Sequence, residues 1–178
     1  VEISVDRLTR SFGTLRANDE VTLQFAAGRI HGVLGENGAG KSTLMKMLAG
    51  YLLPDSGRIQ VDGRPVVIRG PGDALTAGIG MVHQEPLDVP AFTALENVMC
   101  AAPRGVFRSR RSAAEQLRTL ANELGFTVEP TDRLSALTVG QRQQLEILRL
   151  LLCGAQILIL DEPTTGITAA QARALFAA

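Results

Sequence analysis

The stretch that most limits the fold is Gly35-Glu36-Asn37-Gly38-Ala39-Gly40-Lys41-Ser42. It matches the pattern GxxxxGK[ST] in full, a pattern that carries meaning only between a strand and a helix. Ahead of it, Ile30-His31-Gly32-Val33-Leu34 is a short apolar run without alternation, as expected of a strand buried on both faces. Behind it, Lys41 to Ala49 reads as a helix ended by Gly50. The glycines let the backbone curl into a nest of inward N–H groups, and the helix adds the positive end of its dipole. Lys41 then places a compact charge on the β- and γ-phosphates of a nucleotide, and Ser42 offers a hydroxyl to Mg²⁺. The plainer alternative is a glycine turn before a helix that begins Lys-Ser by accident. The flanking elements argue against it.

A phosphate loop of this kind needs an acid at the end of a neighbouring core strand. Ile157-Leu158-Ile159-Leu160 followed by Asp161-Glu162 supplies one. Asp161 is the candidate for Mg²⁺. Glu162, one residue on, points differently and is the candidate to orient or deprotonate an attacking water. Two acids that merely follow a strand are the competing reading, a stronger competitor for Glu162 than for Asp161.

The rest of the chain organises around these two pieces. Ile3 and Val5, then Val21, Leu23 and Phe25, alternate with polar residues and predict antiparallel strands with one wet face, joined by a turn at Arg16–Asn18. Asp62-Gly63 between Arg58–Val61 and Pro65–Ile68 is a hairpin signal. Pro71–Ala77 predicts a short helix and Ile79–His83 a buried strand. Thr93-x-x-Glu96 is a capping box that opens another helix. Leu117, Leu120, Ala121 and Leu124 share one face of a helix from about Ser112 to Leu124. Leu137-Thr138-Val139-Gly140-Gln141 opens a helix that Gly154 ends, and Thr168-x-x-Gln171 caps the last one. The order predicts an α/β fold: a P-loop NTPase core with a mostly parallel sheet, an N-terminal antiparallel β subdomain and a helical insertion. Residues 1–178 read as a single nucleotide-binding domain. Residues 1–92 form the β subdomain and P-loop core, 93–138 the helical insertion, and 139–178 the helix that returns to the core.

Bulk properties exclude little but point one way. Lys+Arg and Asp+Glu are both 18 in 178 residues, so the net charge is zero, which disfavours a general affinity for nucleic acid. Arg104, Arg108, Arg110 and Arg111 read as a solvated loop and helix start. Cys100 and Cys153 form no CxxC and read as small buried residues in a reducing compartment. The apolar stretch Leu150–Leu160 is too short to span a bilayer. The chain begins with Val1 and stops within a predicted helix, so both ends read as cuts in a longer polypeptide.

Four motifs in order resemble the ATPase subunit of the ATP-binding-cassette (ABC) family: GENGAGKST (Gly35–Thr43), Gln84 in MVHQEP, LTVGQ (Leu137–Gln141) and ILILDEPT (Ile157–Thr164). The resemblance covers essentially the whole chain. It implies ATP and Mg²⁺ as cofactors, with Gly35, Glu36, Asn37, Gly38, Ala39, Gly40, Lys41, Ser42 and Thr43 around the phosphates. It implies Ser42, Gln84 and Asp161 on the metal, and Lys41, Gln84 and Glu162 in catalysis. Phe12 falls where the family stacks an aromatic on adenine, although a core Phe on an edge strand competes. Leu137, Thr138, Val139, Gly140 and Gln141 match the signature that faces the nucleotide of a second, antiparallel ATPase module.

Departures refine the expectation. The usual signature has Ser and two glycines, where this chain has Thr138 and Val139. That form, with MVHQEP and DEPTTGIT, resembles importers of simple sugars and nucleosides, often with two ATPase modules in one chain. The family's switch histidine is expected beyond Ala178, and His31 and His83 match no such position. The implied partners are a second ATPase module (homodimer or tandem), transmembrane permease subunits and an extracytoplasmic solute-binding protein, with no nucleic acid. The implied location is the cytoplasmic face of the membrane. The alternatives are a soluble ATPase of the same family acting on ribosomes or DNA and, for this fragment, a nucleotide-binding module without turnover. Cut before the switch histidine, the fragment is expected to bind ATP weakly and to hydrolyse it slowly or not at all.

Overall fold

A computed structural model describes residues 1–82, 88–103, 105–160 and 173. The chain divides into two compact units, one of residues 1–80 with 155–159, the other built on residues 81–154.

The first unit opens with β1 (Ile3–Phe12) and β2 (Leu15–Phe25), joined at Gly13-Thr14. The turn is therefore earlier than the expected Arg16–Asn18, and those residues lie on β2. β1 does not alternate strictly. Ile3 and Val5 are buried, and so is Leu8, three residues later. A register shift between Val5 and Leu8, with Arg7 at φ 48°, turns Leu8 back to the core. β3 (Ser56–Val61) and β4 (Arg64–Val66) complete an antiparallel sheet of order β2-β1-β3-β4. The hairpin between them turns on Asp62 and Gly63, both at positive φ (49° and 72°), the geometry that suits a two-residue loop. β2 lies at the sheet edge, and Leu23 on it is largely exposed, unlike the predicted inward face.

α1 (Lys41–Leu48) buries Leu44, Met47 and Leu48 and ends at Gly50, as predicted. α2 (Pro71–Thr76) carries its proline in the first turn. β5 (Ile79–Val82) and β6 (Ile157–Leu160) are neighbours in a second sheet, where the Gly78 carbonyl accepts from the N–H groups of Gln156 and Ile157 at 2.8 and 2.9 Å.

The expected buried strand at residues 30–34 does not form. Ile30 is 69% and Leu34 93% exposed, and no regular hydrogen bonding is present. A strand buried on both faces takes its hydrogen bonds and its covering layers from neighbours. Among the described residues no strand pairs with this segment. His31, read as a strand histidine, is exposed; its Nε2 lies 3.1 Å from the Ala26 carbonyl and its ring meets Phe25 edge-on.

The second unit holds α3 (Ala94–Ala101), α4 (Arg110–Glu123) and α5 (Val139–Leu152). The capping box at Thr93 and Glu96 is complete. Asn97, buried on α3, clamps the preceding segment: its Oδ1 accepts from Val89 N–H at 2.8 Å and its Nδ2 donates to the Val89 carbonyl at 3.2 Å. α4 starts at the Ser109 cap, slightly before the predicted Ser112, and buries Ala113, Leu117 and Ala121. Arg110 and Arg111 pair with Glu96 and Glu115 at this solvated helix start. Both described cysteines are free thiols, and Cys100 is exposed rather than buried as expected. Among the described residues no helix is long and apolar enough to cross a membrane.

Candidate functional site

The phosphate loop runs into α1 through Gly40, the residue before the first helical turn. Gly40 sits at φ 81°, and a side chain there would run into the Ala17 carbonyl on β2. Only glycine satisfies both conditions without strain. Among the described residues no side chain caps α1. The N–H groups of its first turn have no intrahelical acceptor by helix geometry, and Leu44 N–H is the first to bond back, to the Gly40 carbonyl at 2.9 Å. An uncapped helix start that faces an exposed loop is a place for an anion.

Lys41 lies across this loop. Its Nζ donates to the carbonyls of Gly35 and Glu36, both at 2.8 Å. Ala39 N–H closes a turn on Glu36 O at 3.1 Å. The lysine thus spans the two ends of the loop with hydrogen bonds to neutral acceptors. A phosphate oxygen is a stronger acceptor for the same ammonium. Ser42 and Asn37 are exposed, and the Ser42 hydroxyl has no hydrogen bond among the described residues. It is free to bind a hard cation, so the residue fits the metal role expected of it.

Phe12, at the end of β1, is 46% exposed. Its ring carries the Arg10 guanidinium at 5.1 Å, and Arg10 is held in turn by Asp55 and the Leu53 carbonyl at 2.8 and 3.1 Å. The ring is thus fixed from one side by a cation and partly open to solvent.

The second unit presents the Leu137–Gln141 stretch as a finished helix start. Thr138 Oγ1 accepts from Gln141 N–H at 3.3 Å, and Gln141 Oε1 accepts from Thr138 N–H at 3.1 Å. The box takes up the third N–H of α5 and, among the described residues, leaves those of Val139 and Gly140 without side-chain acceptors. Leu137 is buried while Val139 is 66% exposed, so the first turn stands in solvent and the helix sinks into the unit from Gln143 onward. One turn further, Arg142 approaches Asp88 at 3.6 Å.

Gln84, Asp161 and Glu162 lie outside the described residues, as do His83 and the Thr168–Gln171 cap. β6 ends at Leu160, immediately before Asp161. Among the described residues no three His, Cys, Asp or Glu side chains converge to hold a metal.

Sequence reasoning missed Asn18. It lies on β2 with only 6% exposure, and its Nδ2 donates to the Gly40 carbonyl at 3.4 Å. The missed signal was a polar residue at an inward strand position, hidden by placing the turn too late.

The family model described as "ABC transporter" matches residues 18–165. The chain is 43% identical over 166 residues to the nucleoside import ATP-binding protein NupA of Lactococcus lactis subsp. cremoris (strain MG1363), covering 92% of this chain and 33% of that protein. It is 40% identical to the arabinose import ATP-binding protein AraG of Ralstonia nicotianae (strain ATCC BAA-1114 / GMI1000), over 95% of this chain and 34% of that protein. A solved nucleotide-free ATP-binding cassette from an ABC transporter superposes with a TM-score of 0.80 at 23% identity, covering 99% of this chain and 75% of that one. The chain spans about a third of the length of the curated relatives it matches. The fold is that of a P-loop NTPase cassette, with an antiparallel N-terminal sheet, helices and a parallel sheet. The chain belongs to the ABC transporter family.

Proposed function

We propose that this chain binds and hydrolyses ATP as the nucleotide-binding domain of an importer of a simple sugar or nucleoside. The observation that carries the reading is the uncapped start of α1, with Lys41 held across the loop that precedes it. The printed names of the relatives, nucleoside, arabinose and ribose import ATP-binding proteins, support the solute class.

In this reading the ammonium of Lys41 leaves two loop carbonyls for β- and γ-phosphate oxygens. The backbone N–H groups from Gly38 to Thr43 surround the same oxygens, and Phe12 receives the adenine on its open face. Ser42, Gln84 and Asp161 would hold Mg²⁺, which when bound neutralises charge on the β- and γ-oxygens. Glu162 takes the proton of the attacking water, and Gln84 orients that water through its amide. Leu137–Gln141 offers the free N–H groups of Val139 and Gly140 to the γ-phosphate held by a second module. A solved bacterial ABC transporter cassette, 21% identical with a TM-score of 0.78, is itself dimeric, which supports reading a second module into the site. ATP then joins the two modules, and loss of the γ-phosphate releases them. The domain works on the cytoplasmic face against transmembrane permease subunits, which receive solute from an extracytoplasmic binding protein.

Glu162→Gln tests the catalytic assignment. The variant is expected to bind MgATP, to release phosphate at least about a hundredfold more slowly, and to accumulate an ATP-bound dimer. Turnover equal to that of the unaltered chain removes Glu162 from the role of base.

A further inference from the structure

The buried amide of Asn18 has no account in the sheet that carries it. It stands on β2 opposite Arg10, 6% exposed, with its Nδ2 on the Gly40 carbonyl and its Oδ1 without a hydrogen bond among the described residues. A buried carbonyl oxygen without a donor destabilises a fold, and an apolar side chain of similar size avoids that cost. A local choice that works against stability points to a task.

The task is visible in the peptide that Asn18 touches. The Gly40 carbonyl accepts from Leu44 N–H at 2.9 Å and from Asn18 at 3.4 Å. The same planar trans peptide carries the Lys41 N–H on its opposite side. Leu44 N–H sets the direction of that oxygen, and the longer Asn18 contact adds a second donor, so together they restrain the direction of the opposite N–H. It is the first of α1, with no partner within the helix and, among the described residues, no capping side chain. The Ala17 carbonyl, directly under Gly40, closes the floor.

We propose that Asn18 is a positioning residue of the phosphate loop. It holds the Gly40–Lys41 peptide so that the Lys41 N–H is already aimed at a bound phosphate. A ligand then need not reorient the peptide, and its affinity rises by that saving. The inference rests on reading Gly35–Ser42 as the nucleotide site.

The test compares the unaltered chain with Asn18→Leu, Asn18→Ala and Lys41→Ala. Calorimetry measures MgATP affinity, thermal unfolding without nucleotide measures stability, and the Lys41 amide resonance reports the peptide directly. Asn18→Leu is expected to unfold at or above the temperature of the unaltered chain, yet to bind ATP about fivefold to tenfold more weakly. Asn18→Ala, which cannot overpack, loses the same affinity, and in both variants the Lys41 amide signal moves before ligand is added. Unchanged affinity in both variants overturns the proposal. So does a loss of affinity that only accompanies a loss of thermal stability. If the unaltered chain and Lys41→Ala bind ATP alike, the nucleotide reading itself fails and this inference falls with it.

Discussion

Gly40 passes so close to the carbonyl of Ala17 that no side chain fits between them. This contact ties the start of α1 to β2, and it puts the phosphate loop on the antiparallel sheet rather than on the helix alone. Gly40→Ala must either move β2 or unwind the first turn of α1. It also forces an L-residue to φ 81°. The expected cost is about 2 kcal/mol or more in denaturant unfolding, with loss of ATP binding. Stability within about 0.5 kcal/mol of the unaltered chain contradicts the close approach.

Thr138→Ala removes one half of the capping box at the start of α5. A loss of about 1 kcal/mol is expected in equilibrium unfolding, with Thr138→Ser close to neutral. The same substitution weakens ATP-dependent dimerisation, measured by sedimentation, because Val139 and Gly140 are no longer held in place. Unaltered dimerisation would falsify the assignment of this helix start to a partner's nucleotide.

Glu96 titrates far from its ordinary range. The Thr93 N–H, then the Arg110 guanidinium, then the Thr93 hydroxyl hold its carboxyl at about 2, against an ordinary 4.5. A carboxylate lowered in the folded state favours folding when ionised. Its contribution is complete above pH 4.5 and is lost as pH falls toward 2. Glu96→Gln keeps an acceptor for the Thr93 N–H but cannot ionise. The difference in stability between the two chains should therefore shrink as pH drops from 4.5 to 2. A constant difference across that window contradicts the role given to the charge.

The features that were legible in the sequence are those decided within a few residues. Asp62-Gly63 turns the β3–β4 hairpin, and the Thr93–Glu96 capping box closes on the partners its spacing predicts. The helix after the phosphate loop starts at Lys41 because its glycine approach is local. What was not legible depended on partners distant in the chain. Leu8 is buried only because β1 bulges at Arg7, and residues 30–34 remain exposed because nothing among the described residues pairs with them. Asn18 was misread for a related reason. Its value lies in the Gly40 carbonyl, twenty-two residues away, and no periodicity reports that contact.

The central claim is that the Lys41 ammonium and the open start of α1 form a triphosphate site. MgATP titration of the unaltered chain beside Lys41→Ala tests it most directly. Among the described residues Lys41 bonds only exposed loop carbonyls, so its removal should change unfolding stability by no more than about 0.5 kcal/mol. Affinity for ATP should nevertheless fall at least about tenfold, as expected when a charge-assisted contact is lost. Equal affinity in the two chains, measured at matched stability, contradicts the account.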